Sequence, residues 1–439
     1  MESTACLSPA WAIMATMKTI PLWTDQYPRP GDLLTSQLPE RADVAIIGSG
    51  YTGLNAALAL AHSGARTAVL EQETIGWGAS SRNGSMLTTG LKTPLRRVLQ
   101  RYGLQAARHF WQWSLDSIDH VEQVIAQEGI GCDFHRPGHA CLAYKPQHFQ
   151  KIKAYAELLS RDFGYTGFEL VEPQDLHTEI GSPVYFGAMT ENFSAMLHPA
   201  KYVFGLAEAA RRRGASLVEG CRVTRITRPS KGFHLQTSRG SLQVGEVLIA
   251  TNGYTTNLVP RLRQGIFPVG SYIIVTEPLP PSLQAELSPR RRAFFDSKRF
   301  LNYFCLTPDG RMLFGGRANL STRLDLSLSA EILRAQMLRV FPQLAGIPLT
   351  HSWTGKLGVS FDQMPHLGRV NGIHYAYGYS GHGVSIASYL GYEVGRLIAG
   401  EIGGSLFMDI RHPRFILASL DRLYLPFVSA YFRLEDHLS

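Results

Sequence analysis

The first clear change in hydrophobic spacing lies within residues 43–71. Residues 44–47 form a short apolar run, as in a buried strand, and residues 48–53 form a glycine-rich turn. Residues 54–61 contain mostly strong helix formers, and residues 66–70 return to a strand pattern. The pattern therefore predicts a strand, a glycine turn, a helix and a second strand.

The rest of the chain alternates between helical and strand spacing. A fully apolar run at 247–250 indicates a buried parallel strand that returns to the first unit, and the prolines of 23–39 indicate an extended arm. Helices are predicted at 94–127, 147–159, 199–213, 330–341 and 384–399. Strands are predicted at two places in 132–144, within 185–197, and at 221–226, 233–237, 241–244, 247–250, 271–276, 299–306, 311–315 and from 373.

The glycine turn has the spacing of a dinucleotide site. Gly48 allows a tight turn, Gly50 lets the backbone approach a pyrophosphate, and Gly53 lets helix and strand pack closely. The following helix directs free N–H groups at the phosphates. Glu71 closes the second strand, where an acid can bind a ribose. The alternative is a glycine turn that only closes a strand–helix corner.

Length and charge set further bounds. The chain has 439 residues, enough for two domains, and 45% of them are hydrophobic. The formal net charge is +8, but the basic residues are scattered apart from 211–213 and 290–292. A nucleic-acid footprint would form a stripe or face. The pattern favours a solvated surface, and no nucleic-acid partner is expected.

The cysteines, Cys6, Cys132, Cys141, Cys221 and Cys305, have neither CxxC nor zinc-finger spacing. They indicate reduced thiols, no metal site and a cytoplasmic protein. Residues 1–42 show no signal peptide, and 44–65, although apolar, contains four glycines. No integral membrane segment is predicted.

Several motifs in order resemble one family of flavoenzymes. They are the fingerprint at 48–53, Gly78-Ala-Ser-Ser-Arg-Asn-Gly84, Ala250-Thr-Asn-Gly253, Trp353-Thr-Gly355 and Tyr379-Ser-Gly-His-Gly-Val384. This set of motifs resembles the D-amino-acid-oxidase superfamily of FAD enzymes. Within that superfamily it is most similar to the gamma-glutamylputrescine oxidoreductase group. The resemblance covers nearly the whole chain from Trp23.

The resemblance implies an α/β (α+β) fold, with a Rossmann-type FAD-binding domain interleaved with an antiparallel-sheet substrate domain. The FAD domain would comprise 43–91, 196–262 and 353–405, and the substrate domain 92–195 and 263–352. An N-terminal arm, 1–42, and a C-terminal helical segment, 406–439, would flank them.

The resemblance also implies site residues. FAD would be bound non-covalently, because 355–362 contains no cysteine and 79–84 no histidine. The implied FAD contacts are Gly48, Gly50, Tyr51, Thr52, Gly53, Glu71, Gln72, Ser80, Ser81, Arg82, Asn83, Gly84, Val223, Thr251, Gly253, Gly381, His382, Gly383 and Val384.

The implied reaction is oxidation of the C–N bond of an amine or amino acid to an imine, with hydride transfer to FAD and reoxidation by O2 or another acceptor. A helix starting at Gly383 would direct N–H groups at the reduced flavin, and His382 is a candidate catalytic residue beside it. Lys356 is the favoured cation for O2 reduction, on a strand end with an inward side chain. The other cationic candidates are Arg317, Lys298 and Arg82, and the candidate aromatic cage is Tyr272, Tyr303, Phe304 and Trp353.

Two other functions stay open. One is a dehydrogenase of the same fold that acts on a hydroxy compound and passes electrons to a quinone, with 423–432 touching a membrane. Pro426 argues against an amphipathic helix there and favours a segment that covers the core. The other is a flavoprotein that modifies RNA, which only the charge of +8 suggests.

Overall fold

A computed structural model describes residues 17–31, 33, 37–317, 320–408 and 410–438. The described part contains two large sheets and a two-stranded ribbon. The strands are β1 (Arg41–Ile47), β2 (Thr67–Leu70), β3 (Met86–Leu87), β4 (His139–Leu142), β5 (Phe168–Val171), β6 (Ala188–Glu191), β7 (Ala195–Met196), β8 (Ser216–Val218), β9 (Val223–Thr227), β10 (Phe233–Thr237), β11 (Gly240–Ile249), β12 (Ile266–Pro278), β13 (Ala293–Asp296), β14 (Asn302–Leu306), β15 (Arg311–Gly316), β16 (Leu349–Ser360), β17 (His366–Val370) and β18 (Ile373–Tyr377).

The first sheet has the order β17-β18-β11-β1-β2-β8, and β10 and β9 extend it from β11. Its centre is parallel, since β1 pairs in parallel with β2 and β11, and β11 with β18. The central strands are apolar on both faces because helices cover one side and β9, β10 and their neighbours the other. β11 joins two strands predicted separately, at 241–244 and 247–250.

The second sheet has the order β16-β12-β15-β14-β13-β4-β6-β5. All its pairs are antiparallel except β13 with β4. One face packs on the helix Leu326–Val340 through a core that includes Phe304, Phe314 and Phe341. The predicted combination of a parallel nucleotide-type sheet and a larger antiparallel sheet is confirmed.

All six predicted helices are present, the one after the first glycine turn included, with ends shifted by a few residues. The short helices at 260–263 and 281–287 were not predicted. The α-helices are Leu22–Gln26, Tyr51–His62, Leu95–Glu128, Pro146–Phe163, Pro199–Arg212, Pro260–Arg263, Pro281–Leu287, Leu326–Val340, Gly383–Ala399 and Asp421–Leu438.

Some local predictions were wrong. Residues 132–144 contain one strand, β4, rather than two, because the segment before Gly138 makes only a single bridge at His135. The N-terminal arm is not extended throughout, since Leu22–Gln26 is a helix with Leu22 and Trp23 buried. The helix at Leu95–Glu128 is interrupted at Gly103, whose φ is +81°.

Two features of the structure bear on the predicted domain boundaries. Position 353 falls within β16, which pairs with β12 over nearly its whole length. The helix Leu95–Glu128, assigned to the substrate domain, packs Phe110 and Trp113 into the core that covers the first sheet. The two sheets therefore share packing elements rather than meeting at a bare interface.

Within the described ranges, no helix is long and apolar enough to cross a membrane. Cys132, Cys141, Cys221 and Cys305 are free thiols, and Cys6 lies outside those ranges. No group of histidine, cysteine or acidic side chains among the same residues could hold a metal ion.

Candidate active site

A cavity of about 860 Å³ runs between the two sheets. One end is lined by Glu71 and Val223, and we call it the Glu71 end. The other is lined by Lys92, Tyr303 and His382, and we call it the His382 end. The volume lies near the top of the range for ligand sites, so the cavity suits a large ligand.

The glycine turn leaves no room for larger side chains. A Cβ on Gly53 would lie 2.0 Å from the Gly48 carbonyl oxygen, so Gly53 serves helix–strand packing and does not line the cavity. Gly48 has a φ of +106°. A Cβ on Gly50 would lie 2.9 Å from Ser80 Oγ, which accepts a bond from the Tyr51 backbone N–H at 3.0 Å. The helix Tyr51–His62 thus begins with its backbone against the cavity.

The Glu71 carboxylate is held in place at the end of β2. Its Oε2 accepts bonds from the Ser49 backbone N–H at 3.0 Å and the Ser49 hydroxyl at 2.7 Å. Its Oε1 accepts from the Glu73 backbone N–H. Glu71 and Glu73 are the acids among the cavity-lining residues, so negative charge is confined to this end. Such a carboxylate can accept bonds from a ribose.

Two buried indoles support the loop after β2. Trp23 Nε1 donates to the Asn83 carbonyl oxygen at 2.8 Å, and Trp353 Nε1 donates to that of Arg82 at 2.9 Å. The N-terminal helix and β16 therefore fix one loop from two directions. Gly84 lies under the Tyr303 ring, where a Cβ would be 2.7 Å from a ring carbon.

The second glycine turn joins β18 to the helix Gly383–Ala399. Gly381 has a φ of +103°, and Gly381, His382, Gly383 and Val384 all line the cavity. Burial, with smaller effects of Lys92 and His139, lowers the pKa of His382 to about 3. The imidazole is therefore neutral at physiological pH. Its Nδ1 is buried and has no hydrogen-bond partner in the part of the chain that the structure describes, as expected of a group that faces a ligand.

Two cations stand at the His382 end. Burial, together with nearby Arg317 and Arg299, lowers the pKa of Lys92 to about 8, and burial also lowers the pKa of Arg317. Neither side chain forms an ion pair or a hydrogen bond with a described residue. Both side chains are half-buried, so pairing with an anionic ligand group would be favoured here. Lys92 gave no signal in the sequence, where it stands in a loop before a helix.

Lys356 lines the cavity, but not as predicted. It lies within β16 rather than at a strand end, its side chain is exposed, and Nζ lies 5.3 Å from the centre of the Tyr254 ring. Lys298 is bound to Asp296, and Arg82 donates to the Trp77 carbonyl oxygen. The role predicted for Lys356 in O2 reduction needs a cation that points inward and is shielded from water. The exposed side chain of Lys356 does not meet that requirement.

Of the four predicted cage residues, only Tyr303 lines the cavity, and its hydroxyl lies 3.0 Å from Ser271 Oγ. Tyr272, Phe304 and Trp353 are buried in the cores. Phe295 and Leu301 line the His382 end and were not predicted. Sequence alone could not separate the aromatic residues that line the cavity from those in the core, since aromatic residues in strands are usually core residues.

The predicted FAD contacts converge on this cavity with three exceptions. Ser81 is turned away and donates to the Gly76 carbonyl oxygen at 2.7 Å. Gly253 packs on β16, where a Cβ would lie 2.7 Å from the Lys356 carbonyl oxygen. Gly53 has the packing role described above. The residues that line the cavity are Gly48, Gly50, Tyr51, Thr52, Glu71, Gln72, Ser80, Arg82, Asn83, Gly84, Val223, Thr251, Gly381, His382, Gly383 and Val384.

Comparison with known proteins agrees with this geometry. Residues 43–397 match the family described as FAD dependent oxidoreductase. The chain is 31% identical to the gamma-glutamylputrescine oxidoreductase of Escherichia coli over 415 residues, which cover 93% of this chain and 96% of that protein. It is 32% identical to a probable oxidoreductase, OrdL, of Haemophilus influenzae over 82% of this chain and 84% of that protein.

Solved structures show the same fold. Glycine oxidase from Geobacillus kaustophilus superposes with a TM-score of 0.71 at 23% identity, covering 85% of this chain and all of that chain. L-proline dehydrogenase from P. horikoshii superposes with a TM-score of 0.68 at 21% identity, covering 83% of this chain and 95% of that chain. The family match over residues 43–397 defines a flavin-dependent oxidoreductase. The chain belongs to the FAD-dependent oxidoreductase family of the D-amino-acid-oxidase type and uses FAD as its cofactor.

The residues present fit FAD. The glycine turns leave backbone exposed to the cavity, Glu71 is fixed at one end, and the unpartnered His382 Nδ1 lies at the other. The loop 78–84 and Val223 lie between them along the wall.

Proposed function

We propose that the protein oxidises the C–N bond of an amine that carries a carboxylate, either an amino acid or an amine conjugate such as a gamma-glutamyl amine, to an imine. The observation that carries this proposal is the pair of cations at the His382 end, Lys92 and Arg317, neither of which pairs with a residue that the structure describes. No acidic residue lines that end of the cavity, so a carboxylate on the ligand supplies the missing negative charge. The relatives named for glycine and gamma-glutamylputrescine support this class of substrate.

Each step assigns a task to residues of this chain. Lys92 and Arg317 bind the carboxylate and thereby orient the substrate in the cavity. Tyr303, Phe295 and Leu301 exclude water around the amine, which favours its neutral form with a free lone pair. FAD, when bound, would supply the hydride acceptor for the carbon next to nitrogen. The substrate loses its ammonium proton to solvent on binding, and as the hydride leaves, the nitrogen lone pair forms the C=N bond of a protonated imine.

The backbone N–H groups at the start of the helix Gly383–Ala399 face the cavity. They stabilise negative charge that develops on the cofactor, because they are preorganised donors at a helix N-terminus. His382 stays neutral, so it can donate or accept one hydrogen bond without adding charge. Its role is that of a positioning residue for the cofactor.

The test is a screen of the purified yellow protein without oxygen, following flavin bleaching. Glycine, sarcosine, proline and gamma-glutamylputrescine are compared with counterparts that lack the carboxylate, such as glycinamide and putrescine. We expect a carboxylate-bearing amine to reduce the flavin and the counterpart without a carboxylate to react at least about a hundredfold more slowly, the value of one charge-assisted pair. Equal rates would refute the carboxylate assignment.

Arg317→Gln should raise KM for the reactive substrate more than it lowers kcat, whereas Lys298→Gln, away from the cavity, should have little effect.

Admission of O2 after anaerobic reduction then separates an oxidase, whose flavin is reoxidised rapidly, from a dehydrogenase, which needs another acceptor.

A further inference from the structure

The C-terminal segment exposes a continuous apolar stripe. The helix Asp421–Leu438 follows a short 3-10 helix, Ile416–Leu420. Large apolar side chains recur at spacings of four, three, four and four residues, and we call them the outer stripe. They are Ile416 (80% exposed), Leu420 (44%), Leu423 (66%), Phe427 (78%) and Tyr431 (62%).

The opposite face of the same segment already covers the protein. Leu425 is buried and packs with Val269, Leu320 and Val359. Asp421 binds Arg263 at 2.7 Å. A surface helix normally presents polar residues on the face away from the core. Because this helix is apolar on both faces, its outer stripe calls for a partner.

The helix runs through Pro426, so the prediction that this proline interrupts a helix here was wrong. Proline removes a single backbone hydrogen bond at this position. Burial of Leu425 and the ring contact between Phe415 and Tyr424, at 6.2 Å, offset that loss. The prediction that the segment covers the core holds for the inner face alone.

The surroundings of the outer stripe are basic at its start. The Phe415 N–H donates to the Gln264 carbonyl oxygen, which joins the segment to the helix Pro260–Arg263. Arg261, Arg411 and Arg414 are exposed at this junction. From residue 409 to residue 438 the sequence has four arginines and four acids, but the acids Glu435 and Asp436 lie at the far end and Asp421 already pairs with Arg263.

We propose that the outer stripe docks this protein on an anionic membrane surface, with the helix lying in the plane of the interface. Leucine and phenylalanine on one face beside exposed arginines is the pattern of helices that bind such surfaces. A second copy of the chain fits less well, because a two-fold contact would place one basic patch against another. The apolar part of this helix is too short to span the bilayer. None of the other described helices is long and apolar enough to span it either.

The test uses the full-length flavoprotein and sedimentation with lipid vesicles. We expect binding to vesicles of phosphatidylcholine and phosphatidylglycerol, weakening with salt, and little binding to phosphatidylcholine alone. Phe427→Glu and, independently, Leu423→Glu should each weaken binding about tenfold or more. Leu328→Glu is the matched control, since Leu328 is 46% exposed on another helix, and it should bind like the parent.

Flavin content and melting temperature of the variants show that they are folded. Arg411→Gln combined with Arg414→Gln should remove the preference for anionic lipid while leaving flavin content unchanged. Vesicle binding that Phe427→Glu does not alter would overturn the proposal. So would absence of binding together with a dimer, seen by light scattering, that Phe427→Glu dissociates, because the stripe would then be a contact between copies.

Discussion

At the scale of single residues, the chemistry depends on which side chains face the cavity. Lys92 and Lys356 both line it, yet Lys92 is half-buried near Arg317, whereas Lys356 is exposed over Tyr254. Water and salt screen an exposed charge more than a half-buried one. Lys92 is therefore the better ligand for a substrate carboxylate.

The lowered pKa of Lys92 predicts a pH dependence. Above pH of about 8 the amine of the free enzyme is neutral, so binding of a simple carboxylate inhibitor such as propionate should weaken by about tenfold as that charge is lost. The inhibitor has no amine, which keeps substrate titration out of the profile. The bound anion raises the pKa of Lys92 again, so the inflection belongs to the free enzyme.

The measurement is the inhibition constant against pH, from below pH 7 to above pH 9. Lys92→Met should weaken binding at low pH and abolish the inflection, and Lys356→Met should keep it as the control. An inflection that persists in Lys92→Met would assign the titration to another group.

Sequence could predict the residues whose roles depend on local backbone. Gly48, Gly50 and Gly53 follow from the turn geometry, and Glu71 follows from its place at the strand end. The orientation of Lys356 and the burial of Lys92 depend on how β16 and the loop before residue 95 pack, which no local pattern encodes. Ser81 and Gly253 show the same limit: they stand within the right motifs but face away from the cavity.

At the scale of elements, the strand, turn and helix at the start of the first sheet form one rigid unit. The helix Tyr51–His62 can begin beside the cavity because Gly50 lies against Ser80, which in turn caps the Tyr51 N–H. This explains why the elements of this unit were predictable: apolar spacing, glycines and helix formers all indicate the same structure. The helix in the arm before β1 was not predictable, since the burial of Trp23 depends on a loop that is distant in sequence.

Gly50→Val should prevent FAD binding. The branched side chain would collide with Ser80 and occupy the space in which the backbone approaches the phosphates. The ratio of flavin to protein absorbance after purification measures the effect, and we expect little or no flavin. Gly403→Val is the control, since a Cβ there meets nothing within 4 Å. Full flavin content in Gly50→Val would refute our placement of the phosphates.

At the scale of the whole molecule, the cavity lies between two sheets that are interleaved in sequence. Its walls come from the ends of β1, β2 and β11 on one side, and from β12, β14 and β16 on the other. The acidic residues of the lining stand at the Glu71 end, and Lys92 and Arg317 stand at the other, so a single long ligand contacts both sheets at once. Composition and net charge could not show this arrangement, because it arises only when segments distant in sequence meet.

This arrangement predicts that FAD stabilises the whole chain. Ligand that binds only the folded state adds about 2.7 kcal/mol when its free concentration is about a hundred times Kd. For a chain of 439 residues this raises the melting temperature by about 3 °C over the FAD-free protein. The measurement is thermal unfolding of protein stripped of FAD by mild acid and salt, titrated with FAD. Gly50→Val should melt like the stripped protein and not respond to FAD. If the parent melts at one temperature whatever the FAD concentration, the cofactor does not bridge the two sheets. A response retained by Gly50→Val would place FAD outside this cavity.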